Sequence, residues 1–424
     1  MGFPHASHCK QKKIYHQTVL SYCFYRIVFV PGRAKSLIGW LLTLLAAASG
    51  AGAAPYVPKD DTVVLETLPT RPGDPAAAEL RRMRAASADA PADADAASRL
   101  ARRYFEMAMA EGDPRYVGYA EAALRAWPES PSTSAEILNL HGMLRQYRHD
   151  FGRAMADFDL ALKADPANSE ARAWRAAILM VQADYGAARR ECELLAQHST
   201  ELHATACLAY VEATTGGARA AYQRLAAALA RRSDVDPGFH AWVQTRLAEM
   251  AWRSGDNAGA ERHFRAGLAL GTDNFLLAAF ADFLLERGRP AEARALLQDW
   301  SRSDTLLLRL ALAAQALKRP EAEGYARALG ARFADAALRG EKLHLQEEAR
   351  YLLELKGDAR AALAAAAENF RTQREPRDAL VLIEAALAAR DPAPAAPAMQ
   401  WLESSGFEGA RIRQAAARLK ALKP

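Results

Sequence analysis

Acidic residues are absent from the first 53 positions of this 424-residue chain, and cysteine is scarce, with 4 in all. β-Branched residues nowhere form a strand-like alternation. Each absence excludes something. The acid-free stretch holds Lys10, Lys12, Lys13, Arg26, Arg33 and Lys35, so the excess of 55 Lys+Arg over 50 Asp+Glu belongs to it, and the remainder carries 49 basic against 50 acidic residues. A basic nucleic-acid footprint over the main body is therefore excluded. The few cysteines rule out a disulfide-dense small fold and a multi-cysteine zinc or iron–sulfur scaffold. No Gly-x-x-x-x-Gly-Lys, Gly-x-Gly-x-x-Gly, Gly-x-Ser-x-Gly or His-Glu-x-x-His stretch occurs, so no catalytic residue and no cofactor is assigned. What the chain does have is apolar content, 51%, enough to bury a large core and to exclude a mostly disordered chain.

The N-terminus reads as an address. Arg33 and Lys35 precede an apolar run from Leu37 to Ala48, followed by the small residues Ser49–Ala54 and then Pro55. A positive flank, a short apolar centre and an Ala-x-Ala exit predict a secretory signal at 36–53, cleaved after Ala53. The run is short for ~30 Å of hydrocarbon. Residues 1–35 form an odd extension ahead of it, consistent with an over-extended start. The competing reading is an uncleaved membrane anchor, because Val19–Val30 is also fairly apolar. No Cys follows the run, which leaves lipid attachment there unsupported. Richness in Ala and Arg fits a GC-rich bacterial gene, and with export this points to the periplasm. Residues 54–98, with Pro69, Pro72, Pro75 and Pro91, read as an arm with one helix near Ala76–Ala86 and an extended piece at Asp61–Leu68.

Past Ser98, apolar residues recur at helical spacing, broken by short turns such as Ser254-Gly255-Asp256 and Arg287-Gly288-Arg289-Pro290. An all-α chain follows. The segment Ala135–Asn168 places Gly142 at position 8 of a unit, Asp150-Phe151 at 16–17, Ala154 at 20, Phe158 at 24, Ala161 at 27 and Pro166 at 32. Small residues at 8 and 20 let two helices approach closely, aromatics at 17 and 24 fill the space between them, and proline ends the second. The position-20 residues recur at Ala120, Ala154, Ala188, Ala221, Ala260, Ala293, Glu323, Ala362 and Ala395, mostly 33 or 34 apart. This grid resembles the tetratricopeptide repeat (TPR), a ~34-residue helix–turn–helix. The resemblance implies a right-handed α-solenoid over 99–405 with a capping helix in 406–424. Glu323 breaks the small-residue rule, and the longer steps near Arg232–Gly238 and Gly330–Lys342 predict local irregularity.

Two groups of residues are candidates for function. Cys192, His198, His203 and Cys207 lie close in sequence, and His203 and Cys207 share a helix face. Separate thiols, a Cys192–Cys207 disulfide and a metal site all remain open. In tetratricopeptide proteins the first helix of each unit lines the concave face. That role would fall here to Tyr147, Trp174, Tyr210, Trp242, Arg246, Glu249, Trp252 and Arg253, with Asn139, Asp282 and Arg309 among others extending the set. Trp, Tyr and Arg interleaved with carboxylates make a recognition surface; the competing reading is ordinary wedging between units. The expected function is a non-enzymatic scaffold of the bacterial envelope that holds a peptide or helix of another protein. Neither nucleic acid nor a small-molecule substrate is expected, and membrane contact is confined to the signal or anchor. The alternatives are a self-associating structural subunit and a metal-dependent factor at the Cys/His cluster.

Overall fold

The computed structural model describes residues 75–341 and 344–422, together with 58–60 and 63. The predicted signal and N-terminal extension lie outside the described residues, as does nearly all of the Asp61–Leu68 segment. The chain divides into a unit at 1–70 and a compact unit at 71–424, and the architecture below is that of the second.

No strand occurs among the described residues, which form twenty helices. A first helix, α1 (Pro75–Asp89), precedes a series of hairpins. These pair α2 (Ala94–Glu111) with α3 (Arg115–Leu124), α4 (Ala135–Tyr147) with α5 (Phe151–Ala164), and α6 (Ser169–Val181) with α7 (Tyr185–Leu195). Next come α8 (Glu201–Thr214) with α9 (Ala218–Ala230), α10 (Pro237–Arg253) with α11 (Asn257–Leu270), and α12 (Asn274–Glu286) with α13 (Pro290–Leu297). The last pairs are α14 (Asp304–Ala316) with α15 (Glu321–Leu338), α16 (Leu345–Arg350) with α17 (Ala359–Asn369), and α18 (Pro376–Ala389) with α19 (Ala396–Ser405). The final helix, α20 (Ala410–Lys420), packs on α18 through Ile412, Ala415, Ala416 and Leu419.

The hairpin turns explain why the pattern repeats. From the second hairpin onward each turn contains one residue in the left-handed region: His149, Ala183, Gly216, Gly255, Gly288, Lys318, Gly357 and Arg390. Every one of them stands five residues ahead of the position-20 residue read from the sequence. In five of these turns the following Asp amide bonds back to a carbonyl of the preceding helix (Asp150 to Arg145, Asp184 to Leu179, Asp256 to Ala251 and Asp358 to Leu352, each 2.9 Å, and Asp391 to Ala386 at 3.1 Å). Four of these Asp side chains, those of Asp150, Asp184, Asp256 and Asp358, then cap the next helix by accepting from Arg153, Ala187, Gly259 and Ala361 amides. One short stretch thus closes a helix in the Schellman manner and opens its partner.

Close helix approach depends on the small residues. A Cβ on Gly142 would lie 2.6 Å from the ring of Phe158, which is fully buried. Gly142→Ala should therefore cost about 1–3 kcal/mol by forcing that ring aside, read as a lowered urea midpoint with an unchanged slope. Glu323 shows how the rule is broken: its side chain is 82% exposed, and α15 meets α14 and the preceding units through Leu329 and Phe333 instead. The longer steps are absorbed by α10, 17 residues long, by α15, 18 residues long, and by a π-helical continuation of α16 at Tyr351–Lys356.

Buried apolar residues fall into five successive clusters along the chain rather than around one centre. Each hairpin buries its apolar side against its neighbours, as in a solenoid. The solenoid also winds back upon itself. The turn after α4 meets the segment after α17, where Gln373 Nε2 donates to His149 Nδ1 at 3.2 Å. The Arg374 amide bonds to the Val181 carbonyl at 2.7 Å, and Trp401 Nε1 donates to the Tyr185 hydroxyl at 2.7 Å. Gly216 and Gly406 pass so closely that a Cβ on Gly216 would sit 3.3 Å from the Gly406 carbonyl oxygen. No described helix is long and apolar enough to cross a membrane.

Candidate binding site

The concave positions named from the sequence fall into two groups. Tyr147 and Trp174 pack onto the N-terminal core, Trp174 edge-on to Phe105 with ring centroids 5.9 Å apart. Burial pushes the Tyr147 phenol up to about 12. These two side chains serve as wedges between hairpins. Tyr210, Trp242, Arg246, Glu249, Trp252 and Arg253 come together on α8 and α10, and all six are buried or half-buried. None of the eight projects freely into solvent.

Arg246 is the hub of the second group. Its guanidinium lies over the rings of Tyr210, Trp242 and Phe275, with distances to the centroids of 4.6, 5.3 and 4.2 Å. Its Nη1 donates to Glu249 at 2.9 Å, while Nε is buried with no hydrogen-bond partner. Arg253, one turn beyond Glu249 on the same helix, lies 4.0 Å from that carboxylate and donates to the Ala213 carbonyl. Trp252 stands edge-on to Phe283 and donates from Nε1 to Glu286 at 3.0 Å.

The winding places C-terminal residues directly on this surface. The Tyr210 hydroxyl donates to Glu375 at 3.1 Å, and Phe407 lies beneath Arg253 at 5.1 Å. The Glu408 carboxylate accepts from the Ala218 amide at the start of α9 at 3.0 Å, a favourable place for a negative charge. Glu375 pairs with Arg377, which holds its carboxyl below the usual range despite burial. Asp378 behaves oppositely: burial, reinforced by Glu375, pushes its carboxyl up to about 8. Beneath them Asp282 bridges Arg309 at 2.6 Å and Arg350 at 3.0 Å. Burial opposes its ionisation, but the two guanidinia hold it down at about 2.

A cavity of ≈290 Å³ remains between these elements, with Tyr210, Arg246 and Trp252 on one side and Arg377, Phe407 and Arg411 on the other. Phe275, Glu375, Arg377, Phe407 and Arg411 were not among the residues singled out from sequence. Phe275 stands on α12 in the hairpin next to that of Arg246, whereas Glu375, Arg377, Phe407 and Arg411 reach the site only through contacts between distant repeats, for which no local signal exists.

Cys192 and Cys207 are joined in a disulfide linking α7 to α8, with Cα atoms 5.5 Å apart. His198 is exposed at the end of α7, and His203 stacks on Phe239 at 3.9 Å while facing Thr200. Bonded to each other, the two sulfurs leave neither as a thiolate, and the described residues contain no cluster of metal-binding side chains. Peptide mapping without reductant should recover the segments bearing Cys192 and Cys207 as one linked species; separate thiol-bearing peptides would contradict the pairing.

In backbone course the chain is similar to a tetratricopeptide repeat protein from Parabacteroides merdae, with 15% identity, 56% of this chain and 92% of that one covered, and a TM-score of 0.40. It is similar to the anaphase-promoting complex (APC/C) Cut9–Hcn1 structure at 14% identity over 77% of this chain and 63% of that one, with a TM-score of 0.46. Yeast Tom70 gives 13% identity over 82% and 78%, with a TM-score of 0.39. No family model matches the chain, and no curated protein matches it. The fold is a TPR-like α-solenoid. That statement rests on the hairpins and the constant turn register described above.

Proposed function

We propose that this chain is a non-enzymatic protein-interaction scaffold that holds a peptide or helical segment of a partner along the inner side of its solenoid. The observation that carries the reading is the α8–α10 surface, where Arg246 sits among three aromatic rings beside Glu249, Trp252 and Arg253. Aromatic and arginine side chains held rigidly together are the groups that dominate recognition energy. The residues already seated there, Glu375, Phe407 and Glu408, indicate the chemistry such a segment would bring: carboxylates for Tyr210 and the α9 amide, and an aromatic ring for Arg253.

A photo-crosslinking side chain at position 252, in cells, should trap a discrete partner polypeptide. The same group at position 338, where Leu338 is 83% exposed away from the site, should not. Equal yield from both positions, or a partner list unchanged by Trp242→Ala with Arg246→Ala, would remove the inner surface from the reading. We also propose an exported, envelope-associated role, supported by the basic and apolar pattern at 33–55 and compatible with a disulfide in an oxidising compartment. N-terminal sequencing of the mature protein from cell fractions tests it: a start at Met1 would end the cleaved-signal reading.

A further inference from the structure

The charges around the central cavity are not evenly matched. Asp282 is taken by Arg309 and Arg350, and Glu375 by Arg377 and Tyr210. Glu384 is taken by Arg411, and Glu286 by Trp252 with Arg411 at 3.7 Å. Each of these carboxylates already has its donors. Glu249 serves two guanidinia, Arg246 and Arg253, as Asp282 does, and the cavity is lined by the guanidinia of Arg246, Arg253, Arg309, Arg350, Arg377 and Arg411 against the carboxylates of Glu249, Asp282, Glu286, Glu375 and Glu384, one fewer. One guanidinium in excess within a largely desolvated space favours the arrival of a further acceptor. Around it the walls are apolar: Phe275, Leu380, Val381, Phe407 and Ile412 line the same space.

The size of the cavity selects the kind of ligand. At ≈290 Å³ it stands at the lower end of the ~300–1,000 Å³ typical of small-molecule pockets. The starts of α18 and α20, at Glu375–Arg377 and Gly409–Arg411, form part of the wall. Access is available beside Arg377 and Arg411, whose side chains are 41% and 45% exposed.

We propose that this cavity binds a small free carboxylate on an apolar stem of a few carbons, the carboxylate against Arg246 and Arg253 and the stem among Phe275, Leu380 and Phe407. The cavity shares Arg246, Trp252 and Arg253 with the proposed partner surface and so rests on that reading, but crosslinking at position 252 reports on the partner and the titration below on the small acid, and either can fail without the other.

Calorimetric titration of the full chain with hexanoate is the direct test, with hexan-1-ol, hexylamine and an acetylated tripeptide ending in leucine as comparisons. Hexanoate should bind saturably with a Kd of about 1 mM or tighter, at least about tenfold better than the alcohol or the amine, and should raise Tm. Arg246→Met should weaken it by at least about tenfold. Ala279→Phe, which fills the wall without touching a charge, should weaken it equally and keeps the test decisive if Arg246→Met does not fold. The proposal is overturned if hexanoate gives no saturable heat, if the alcohol binds as well, or if Ala279→Phe binds undiminished. Binding of the tripeptide without binding of hexanoate would overturn it too, by making a polypeptide end the ligand.

Discussion

Asp282→Ala should destabilise the solenoid by about 3–5 kcal/mol, the usual consequence of removing one partner from a buried ionic cluster. Among the described residues Asp282 is the only carboxylate bonded to Arg309, whose side chain is 1% exposed, and it also receives Arg350, 11% exposed. Without it, Arg309 keeps the Thr305 carbonyl as an acceptor, and Arg350 keeps Glu354. Two guanidinia would then face each other in the cavity wall with no carboxylate between them. The three residues belong to α12, α14 and α16, so the loss falls on the stacking of successive hairpins rather than on any one of them. Asp282→Asn retains an acceptor without the charge and should lose clearly less. The contribution has a definite pH range: the folded-state carboxyl sits at about 2, below its ordinary 3.8, so its stabilisation is full above the ordinary value and is lost as pH falls from there toward 2. Urea unfolding at pH 7 measures the effect. A change under about 1 kcal/mol would mean that cavity water solvates both arginines.

The period of the fold was legible because one residue class marks each turn. Gly255-Asp256 and Gly357-Asp358 advertise a left-handed residue followed by a cap, and Ala or Gly at the close helix approaches completes the grid. The turns at His149, Ala183, Lys318 and Arg390 lack the glycine yet adopt the same conformation; register carried them, since neighbouring units impose the geometry. The inner surface was only half legible. Tyr210, Arg246 and Arg253 could be singled out by their positions in the repeat, but what sits on them could not. Tyr210 meets Glu375 from 165 residues away, and His149 meets Gln373 from 224 away. Contacts of that span depend on the accumulated twist of five or six hairpins, to which each irregular unit contributes, and no spacing rule within a repeat encodes it. For the same reason the Trp174 and Trp252 side chains, drawn as one groove from the repeat pattern, end in different surroundings, one against Phe105 and the other against Phe283.

Acidification should loosen this winding through His149. Burial, aided by His344, pushes its imidazole down to about 4 from the ordinary 6.5, and its Nδ1 accepts from Gln373, a role that only an unprotonated nitrogen can fill. The unfolded chain binds a proton at this residue below about 6.5 and the folded chain only below about 4, so stability is lost as pH falls through that interval and no further below it. A displacement of this size corresponds to about 3 kcal/mol. Wild type and His149→Asn, a residue that tolerates the left-handed turn, should be unfolded in urea at pH 7 and pH 4. Carboxylates common to both proteins cancel in the comparison, so wild type should lose about 3 kcal/mol more than the variant between the two values. Because the contact joins the turn after α4 to the segment after α17, protease cleavage near Gln373 should also rise with acid in wild type before global unfolding. Parallel stability curves for the two proteins would show that His149 is hydrated in the folded state and that the contact with Gln373 does not hold the winding together.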